Sequence, residues 1–294
     1  MKLLLLLVST YISLLSSDAF IKAEDLSDKL SNSNLVILDV TDKKEYEKEH
    51  IIGAIRVDMS KIRKTKDRAR VMVSNSEIQK LFRQLGINNE SEIVIYSHGK
   101  KKEILKSSYL ALACIINGIK DVSILNGGYP DWVYKFEELT TNKIPDIKKG
   151  NFSIKHKDNV LVDINYVKNN IGKVVMLDAR PTKYYYGTHL SPGIDRAGHI
   201  PMAMSSFWGD KFMGISIKSK EDIEAIFLDG YELNKKDEVL LYCTGGLETS
   251  MNWYVLYQYL GFKNAKIYDA SMREWANLKN TPLVRYKWED FKNK

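Results

Sequence analysis

Apolar runs of strand length punctuate the chain: Asn34-Leu-Val-Ile-Leu-Asp-Val, Glu92-Ile-Val-Ile-Tyr-Ser, Ile119-Lys-Asp-Val-Ser-Ile-Leu, Lys173-Val-Val-Met-Leu-Asp-Ala, Glu238-Val-Leu-Leu-Tyr-Cys and Phe262-Lys-Asn-Ala-Lys-Ile-Tyr. Their cores are continuous rather than alternating in polarity. A strand that reads this way is covered on both faces, which is the condition of a parallel sheet packed between helices. Helical spacing fills the intervals, as in the all-apolar Tyr109–Ile116 and in Trp253, Tyr254, Leu256 and Tyr257. Alternation of the two patterns predicts an α/β fold.

The pattern occurs twice. Phe20 to Val40 matches Leu161 to Ala179, each read as a short amphipathic helix followed by a buried strand ending in Asp39 or Asp178. Glu49-His-Ile-Ile-Gly-Ala then corresponds to Gly198-His-Ile-Pro-Met-Ala, the Ser97 strand to the Cys243 strand, and Trp132 to Trp275. Two α/β domains follow, over 20–138 and 160–280. A polar, Lys-rich linker with Pro145 and Gly150 lies at 139–159, and a tail at 281–294.

The chemistry concentrates at one strand end. In Leu240-Leu-Tyr-Cys-Thr-Gly-Gly-Leu-Glu-Thr-Ser a buried strand runs into a glycine loop and then a helix, placing the Cys243 thiol at a helix N-terminus. The first backbone N–H groups of a helix have no intrahelical partners and point at any anion there. A thiolate so placed is expected to be more acidic than a free thiol, and Gly245 and Gly246 let the backbone close around it. In the first copy the same position is Ser97, which offers a hydroxyl in place of the thiol. Its loop, Gly99-Lys-Lys-Lys-Glu-Ile-Leu, is about three residues longer. Cys114, inside an apolar helix, reads as inert core.

Composition narrows the class. With 294 residues, 44% of them hydrophobic, the chain can bury two cores. Its two cysteines exclude a disulfide scaffold, and no His/Cys spacing suggests a metal. A net charge of +7 draws on basic runs at 61–70 and 100–102. These lack interleaved aromatics or any nucleic-acid motif and read as solvated faces with a general attraction for small anions. The first 19 residues read as a cleavable export signal: Lys2, an apolar run, then Ser17 and Ala19 before a cut at Phe20. The run is too short for a confident membrane span. The expected location is periplasmic or secreted, without stable membrane association after cleavage.

Taken in order and twice over, these motifs resemble the rhodanese family in its tandem two-domain form. The matching pieces are Asp178-Ala-Arg180, Gly198-His-Ile-Pro, Cys243-x-x-Gly246-x-x-Thr249 and Tyr268-Asp-Ala-Ser-Met-Arg-Glu-Trp275. Glu49-His-Ile-Ile-Gly-Ala and Leu125-Asn-Gly-Gly-Tyr-Pro-Asp-Trp132 fit in the first domain. The resemblance implies two rhodanese-like domains, each a parallel sheet flanked by helices, the first catalytically silent. It implies a sulfurtransferase in which Cys243 takes a sulfane sulfur from a small anionic donor, thiosulfate first and 3-mercaptopyruvate second. The sulfur is held as a persulfide and passed to cyanide, a thiol or a protein acceptor. No cofactor or metal is implied. The candidate substrate-binding residues are Thr244, Gly245, Gly246, Leu247 and Glu248 of the loop, with Arg180 and with Arg196 after the second-domain insertion Tyr184 to Arg196.

Departures bear on the donor. Thiosulfate-preferring members often place basic residues after the cysteine, where this chain has Thr244 and Gly245. Mercaptopyruvate-preferring members commonly have Gly then Ser, and Gly245 has no hydroxyl to relay a proton. Glu248 stands where single-domain members frequently carry Arg. Facing the cradle, it opposes an anionic donor and raises the thiol pKa; otherwise it points outward or meets a cation from the first domain. His50 and His199 are read as backbone-bonding residues, Asp178 and Arg180 as a structural pair, Tyr184 to Tyr186 as cleft walls, and Arg273 as a second candidate clamp. A dual-specificity phosphatase of related fold would need Arg six residues after the cysteine, where Thr249 stands. A noncatalytic persulfide carrier, or a sulfur-binding partner protein, is the alternative from a different class.

Overall fold

The computed structural model describes residues 18–100 and 102–290; most of the expected signal segment lies outside them. The first domain is built on a five-stranded sheet. Its strands are β1 (Phe20–Ile21), β2 (Leu35–Asp39), β3 (Ile55–Arg56), β6 (Glu92–Tyr96) and β7 (Asp121–Leu125), in the order β1-β7-β6-β2-β3. Every pairing is parallel. Between β3 and β6 an antiparallel hairpin, β4 (Arg63–Lys66) and β5 (Ala69–Met72), projects from the sheet. Helix α1 (Ala23–Asp28) follows β1, and α2 (Ile104–Ile116) follows β6.

The second domain repeats the plan with β8 (Val175–Asp178), β9 (Ala203–Ser205), β12 (Val239–Tyr242) and β13 (Ala265–Ile267), ordered β9-β8-β12-β13 and again parallel. Its hairpin is β10 (Phe212–Met213) with β11 (Ser216–Ile217). Helix α3 (Ile164–Asn170) precedes β8, α4 (Leu247–Tyr254) follows β12, and α5 (Ser271–Trp275) follows β13.

The opening of each repeat is not helical at once. Phe20 and Ile21 are buried and pair with Ile124 and Leu125, and Leu161 bridges Ile267 in the same way, before α1 and α3 begin. The backbone edges of β7 and β13 pair with these short strands, Asn126 N donating to the Ile21 carbonyl and Val162 N to the Ile267 carbonyl, which overrides the amphipathic spacing. The Ala19 carbonyl accepts from Ile124 N (2.9 Å) and from the Tyr254 hydroxyl, and the Asp18 carbonyl accepts from Ser123 Oγ at 2.6 Å. A chain cut before Phe20 would lose these acceptors.

The linker also departs from a loose surface crossing. Phe152 is fully buried, edge-on to Phe82 with ring centroids 5.2 Å apart, and its carbonyl accepts from Arg83 Nε at 2.8 Å. Backbone bonds fasten the same stretch to the first domain, from Gly150 N to the Arg83 carbonyl (2.8 Å), Lys155 N to the Asn117 carbonyl (2.9 Å) and Lys157 N to the Ile116 carbonyl (2.7 Å).

The domains share an interior. Helices α2 and α4 pack across the seam, with Ser108 Oγ 2.8 Å from Ser250 Oγ, and one continuous apolar cluster contains Tyr109 and Leu112 together with Met251 and Tyr254. Among the described residues no helix is long and apolar enough to cross a membrane.

Candidate active site

Strand β12 carries its buried run Val239–Tyr242 to the carboxyl edge of the sheet and delivers Cys243 into a turn. The turn reverses at Gly246, whose φ of +91° suits glycine, and α4 starts at Leu247. Both glycine amides point back at the sulfur: Gly245 N lies 3.3 Å and Gly246 N 3.1 Å from Cys243 Sγ. The loop is pinned from the side of α5. Ser271 Oγ accepts from Cys243 N (3.1 Å), Met272 N donates to the Cys243 carbonyl (3.0 Å), and Arg273 N to the Thr244 carbonyl (3.0 Å). This gives the Tyr268–Trp275 motif its structural meaning.

Cys243 is 1% exposed and lies at the wall of a cavity of about 380 Å³. The loop lines it with Thr244, Gly245, Leu247 and Glu248, α5 with Arg273, and the second-domain insertion with Tyr184, Ser191 and Pro192. The first domain supplies Arg63 and Arg70 from its hairpin, and Lys102 and Leu105 from the loop and helix after β6. Basic side chains therefore dominate, with Glu248 the one carboxylate among the lining residues.

That carboxylate faces the cradle and is buried, and Lys102 Nζ of the first domain meets it at 2.6 Å. The thiol is not the acidic group that its helix-terminal position suggests. Burial pushes its pKa up and Glu248 adds to the rise, while the Thr249 hydroxyl and amide and the Gly245 amide pull the other way without prevailing. Desolvation of a sulfur with almost no water contact outweighs the loop dipoles.

Arg180 and Arg196 are not at this cavity. Arg180, 2% exposed, is spent on Asp178, with Nε 2.9 and 3.0 Å from the two carboxylate oxygens, and on the Gly198 carbonyl at 2.8 Å. Arg196 is turned onto the end of the domain, donating to the carbonyls of Ala276 (3.1 Å), Thr281 (2.8 Å), Trp275 (3.2 Å) and Leu278, and to Thr281 Oγ1. A cluster of free carbonyls after a short helix satisfies a guanidinium without any ligand. Of the three tyrosines only Tyr184 reaches the cavity. Tyr185 stacks on His199 at 3.9 Å, and Tyr186 on Trp288 at 5.3 Å.

The histidines form matched devices in the two repeats. His50 Nδ1 bonds the Tyr46 carbonyl (2.7 Å) and His199 Nδ1 the Tyr185 carbonyl (2.8 Å), and each ring stacks on its tyrosine at 3.9 Å. The tyrosine hydroxyls donate to the carbonyls of Ala54 (2.7 Å) and Ala203 (2.8 Å). The strand-end serine of the first repeat shares one of the bonds that pin the Cys243 loop: Tyr129 N donates to the Ser97 carbonyl at 2.9 Å, the counterpart of Met272 and Cys243.

The family model for the rhodanese-like domain matches this chain twice, over residues 22–135 and 163–278. The chain belongs to the rhodanese family. Relatives match it along most of their own length. A protein of Thermus thermophilus named sulfur carrier protein TtuD is 32% identical over 256 residues, which is 82% of this chain and 87% of the relative. A thiosulfate sulfurtransferase of Corynebacterium glutamicum is 25% identical over 283 residues, 90% of each chain. Among solved structures, SseA of Escherichia coli, described with 3-mercaptopyruvate sulfotransferases, superposes with a TM-score of 0.75 at 21% identity over 87% of this chain and 99% of its own. The last of these establishes the rhodanese fold alone.

Proposed function

We propose that this rhodanese is a sulfurtransferase whose Cys243 carries the transferred sulfur as a persulfide. The observation that carries the reading is the Cys243 sulfur itself, receiving two glycine N–H groups beside a cavity of basic side chains. Relatives named for sulfur transfer and for sulfur carriage support it.

With thiosulfate, the Cys243 thiolate attacks the sulfane sulfur, a Cys–S–S⁻ bond forms, the S–SO₃ bond breaks, and sulfite leaves with the bonding pair. Cyanide or a thiolate then attacks the outer sulfur and returns Cys243 as thiolate. The loop amides hold negative charge on sulfur throughout, a preorganised electrostatic role. Outgoing and incoming anions are balanced by Arg70 and Arg273, which line the cavity and whose side chains form no hydrogen bond or ion pair with the described residues. Lys102 offsets Glu248, so the carboxylate does not by itself exclude an anionic donor. Thiosulfate is the first expected donor and 3-mercaptopyruvate the second.

The carrier reading stays beside this one because of the 32% identity to a protein named a sulfur carrier. Initial rates with thiosulfate and with 3-mercaptopyruvate, cyanide as acceptor, separate the two. A transferase shows saturable turnover with one donor that Cys243→Ala abolishes, whereas a carrier takes up sulfur and scarcely turns over cyanide. Full activity in the alanine variant would end both. Export to the periplasm or beyond is proposed from the N-terminal segment, and is checked by fractionating cells that express the full chain.

A further inference from the structure

Each domain sends its hairpin onto the other domain's strand-end loop, and the two hairpins deliver different chemistry. The second-domain hairpin turns Ile215 onto the Ser97 loop, where a Cβ at Gly99 would lie 2.7 Å from the Ile215 Cδ1 atom. The first-domain hairpin instead turns Arg63 onto the Cys243 loop. Arg63 is 6% exposed, its guanidinium carbon lies 4.5 Å above the Tyr109 ring, and Nη2 donates to the Arg70 carbonyl at 2.7 Å. The same Nη2 donates to the Gly245 carbonyl of the second domain.

That carbonyl belongs to the peptide unit whose N–H is Gly246 N, the group 3.1 Å from Cys243 Sγ. In a trans peptide the C=O and N–H point in opposite directions. A donor fixed on the oxygen therefore aims the N–H at the sulfur, and a positive donor polarises that N–H toward stronger bonding. A flip of this peptide would break both contacts. Gly246 is closely confined on this side: a Cβ there would lie 2.2 Å from Asp269 Oδ1 and 3.2 Å from Arg63 Nη2. Asp269, itself held by Met72 N (2.8 Å) and Tyr109 Oη (2.7 Å), closes the other side of the guanidinium's site.

We propose that Arg63, on the domain without the cysteine, is a positioning residue for the sulfur cradle, fixing the Gly245–Gly246 peptide so that its N–H serves the Cys243 sulfur. The inference rests on the reading of Cys243 as the sulfur-carrying residue. It gives the silent domain a direct part in the chemistry and explains why only one of the two strand ends is equipped: the other receives isoleucine. Other charged groups around the sulfur are Glu248 with its partner Lys102, Arg70 of the hairpin, Arg273 on α5, Asp269 at the end of β13, and the Asp178–Arg180 pair below the loop.

The test compares Arg63→Met, Arg63→Gln and Arg63→Lys with wild type in two measurements: the pH profile of Cys243 alkylation by iodoacetamide, and amide exchange of the loop peptide containing Gly246. Expected for Met and Gln are an upward shift of the alkylation midpoint by about one unit, hence roughly tenfold slower reaction at neutral pH, and faster exchange at Gly246. Lys, which keeps a charged donor, restores part of both. If Met does not fold, Gln against Lys decides. Unchanged exchange and midpoint in a folded variant would overturn the proposal, as would identical behaviour of Gln and Lys. Neither readout requires sulfur transfer. A wild-type protein that never gains sulfur from thiosulfate or 3-mercaptopyruvate would instead remove the functional reading and leave the role of Arg63 to its own result.

Discussion

At the scale of single residues, the Cys243 sulfur stands between opposed influences: burial and the Glu248 carboxylate raise its pKa, and the loop amides with Thr249 lower it. Alkylation of wild type should therefore climb through the alkaline range instead of levelling near neutrality. Glu248→Gln removes one of the raising influences, so its alkylation midpoint is expected below that of wild type; an unmoved midpoint would mean that Lys102 already cancels the carboxylate. Arg273→Met should raise the KM for thiosulfate several-fold while leaving the thermal midpoint nearly unchanged, since its side chain bonds no described residue. Equal KM values would place the donor elsewhere. Much of this site was readable from the chain, because Cys243, Gly245 and Gly246 are contiguous and their roles follow from a strand-to-helix turn. Arg63, Arg70 and Lys102 lie in runs that read as solvated faces attracting small anions, and a first-domain cation for Glu248 is one of the readings the sequence leaves open. Their convergence on the cavity was not readable, since contacts across a domain seam leave no spacing in the sequence. Arg196 misled for a related reason: an arginine before Gly-His looks free until the carbonyls of 275–281 are seen around it.

At the scale of elements, the two repeats differ most where they touch one another. The parallel strands and the Tyr–His devices agree between copies because burial on both faces constrains them alike, and so their apolar runs were legible. The hairpins diverge because each serves the opposite domain. Nor did the polar composition of the linker reveal its anchoring, in which the buried Phe152 ring joins backbone bonds from Gly150, Phe152, Lys155 and Lys157 to the first domain. Replacing that ring by Ala should cost on the order of 3–5 kcal/mol, read from urea unfolding. A loss below about 1 kcal/mol would show that the linker is not part of the first domain's core.

At the scale of the whole molecule, a single apolar cluster crosses the seam between α2 and α4, so the Cys243 loop and the first domain share one packed frame. Lys211 is the costly member of that frame. It is 1% exposed, and burial pushes its amine from the ordinary 10.5 down to about 7, with Ser206 Oγ (2.9 Å) and the Phe207 carbonyl (2.8 Å) as acceptors and Asp210 and Lys218 as lesser electrostatic influences. Between those two values the unfolded chain binds a proton that the folded chain lacks. Stability from this group therefore rises with pH from about 7 to 10.5, is lost as pH falls back across that range, and changes no further below it, where both states bind the proton. Lys211→Met should flatten that slope, so its stability difference from wild type changes steadily from pH 7 to 10. Parallel profiles for the two proteins would contradict the burial of a neutral amine.

The proposed chemistry turns on sulfur residing at Cys243. Intact-mass measurement after brief treatment with thiosulfate and with 3-mercaptopyruvate, under non-reducing conditions, addresses this directly. Wild type should gain the mass of one sulfur atom with at least one donor and lose it on adding cyanide, and Cys243→Ala should gain nothing. Sulfur retained by the alanine variant, or none acquired by wild type from either donor, would contradict it.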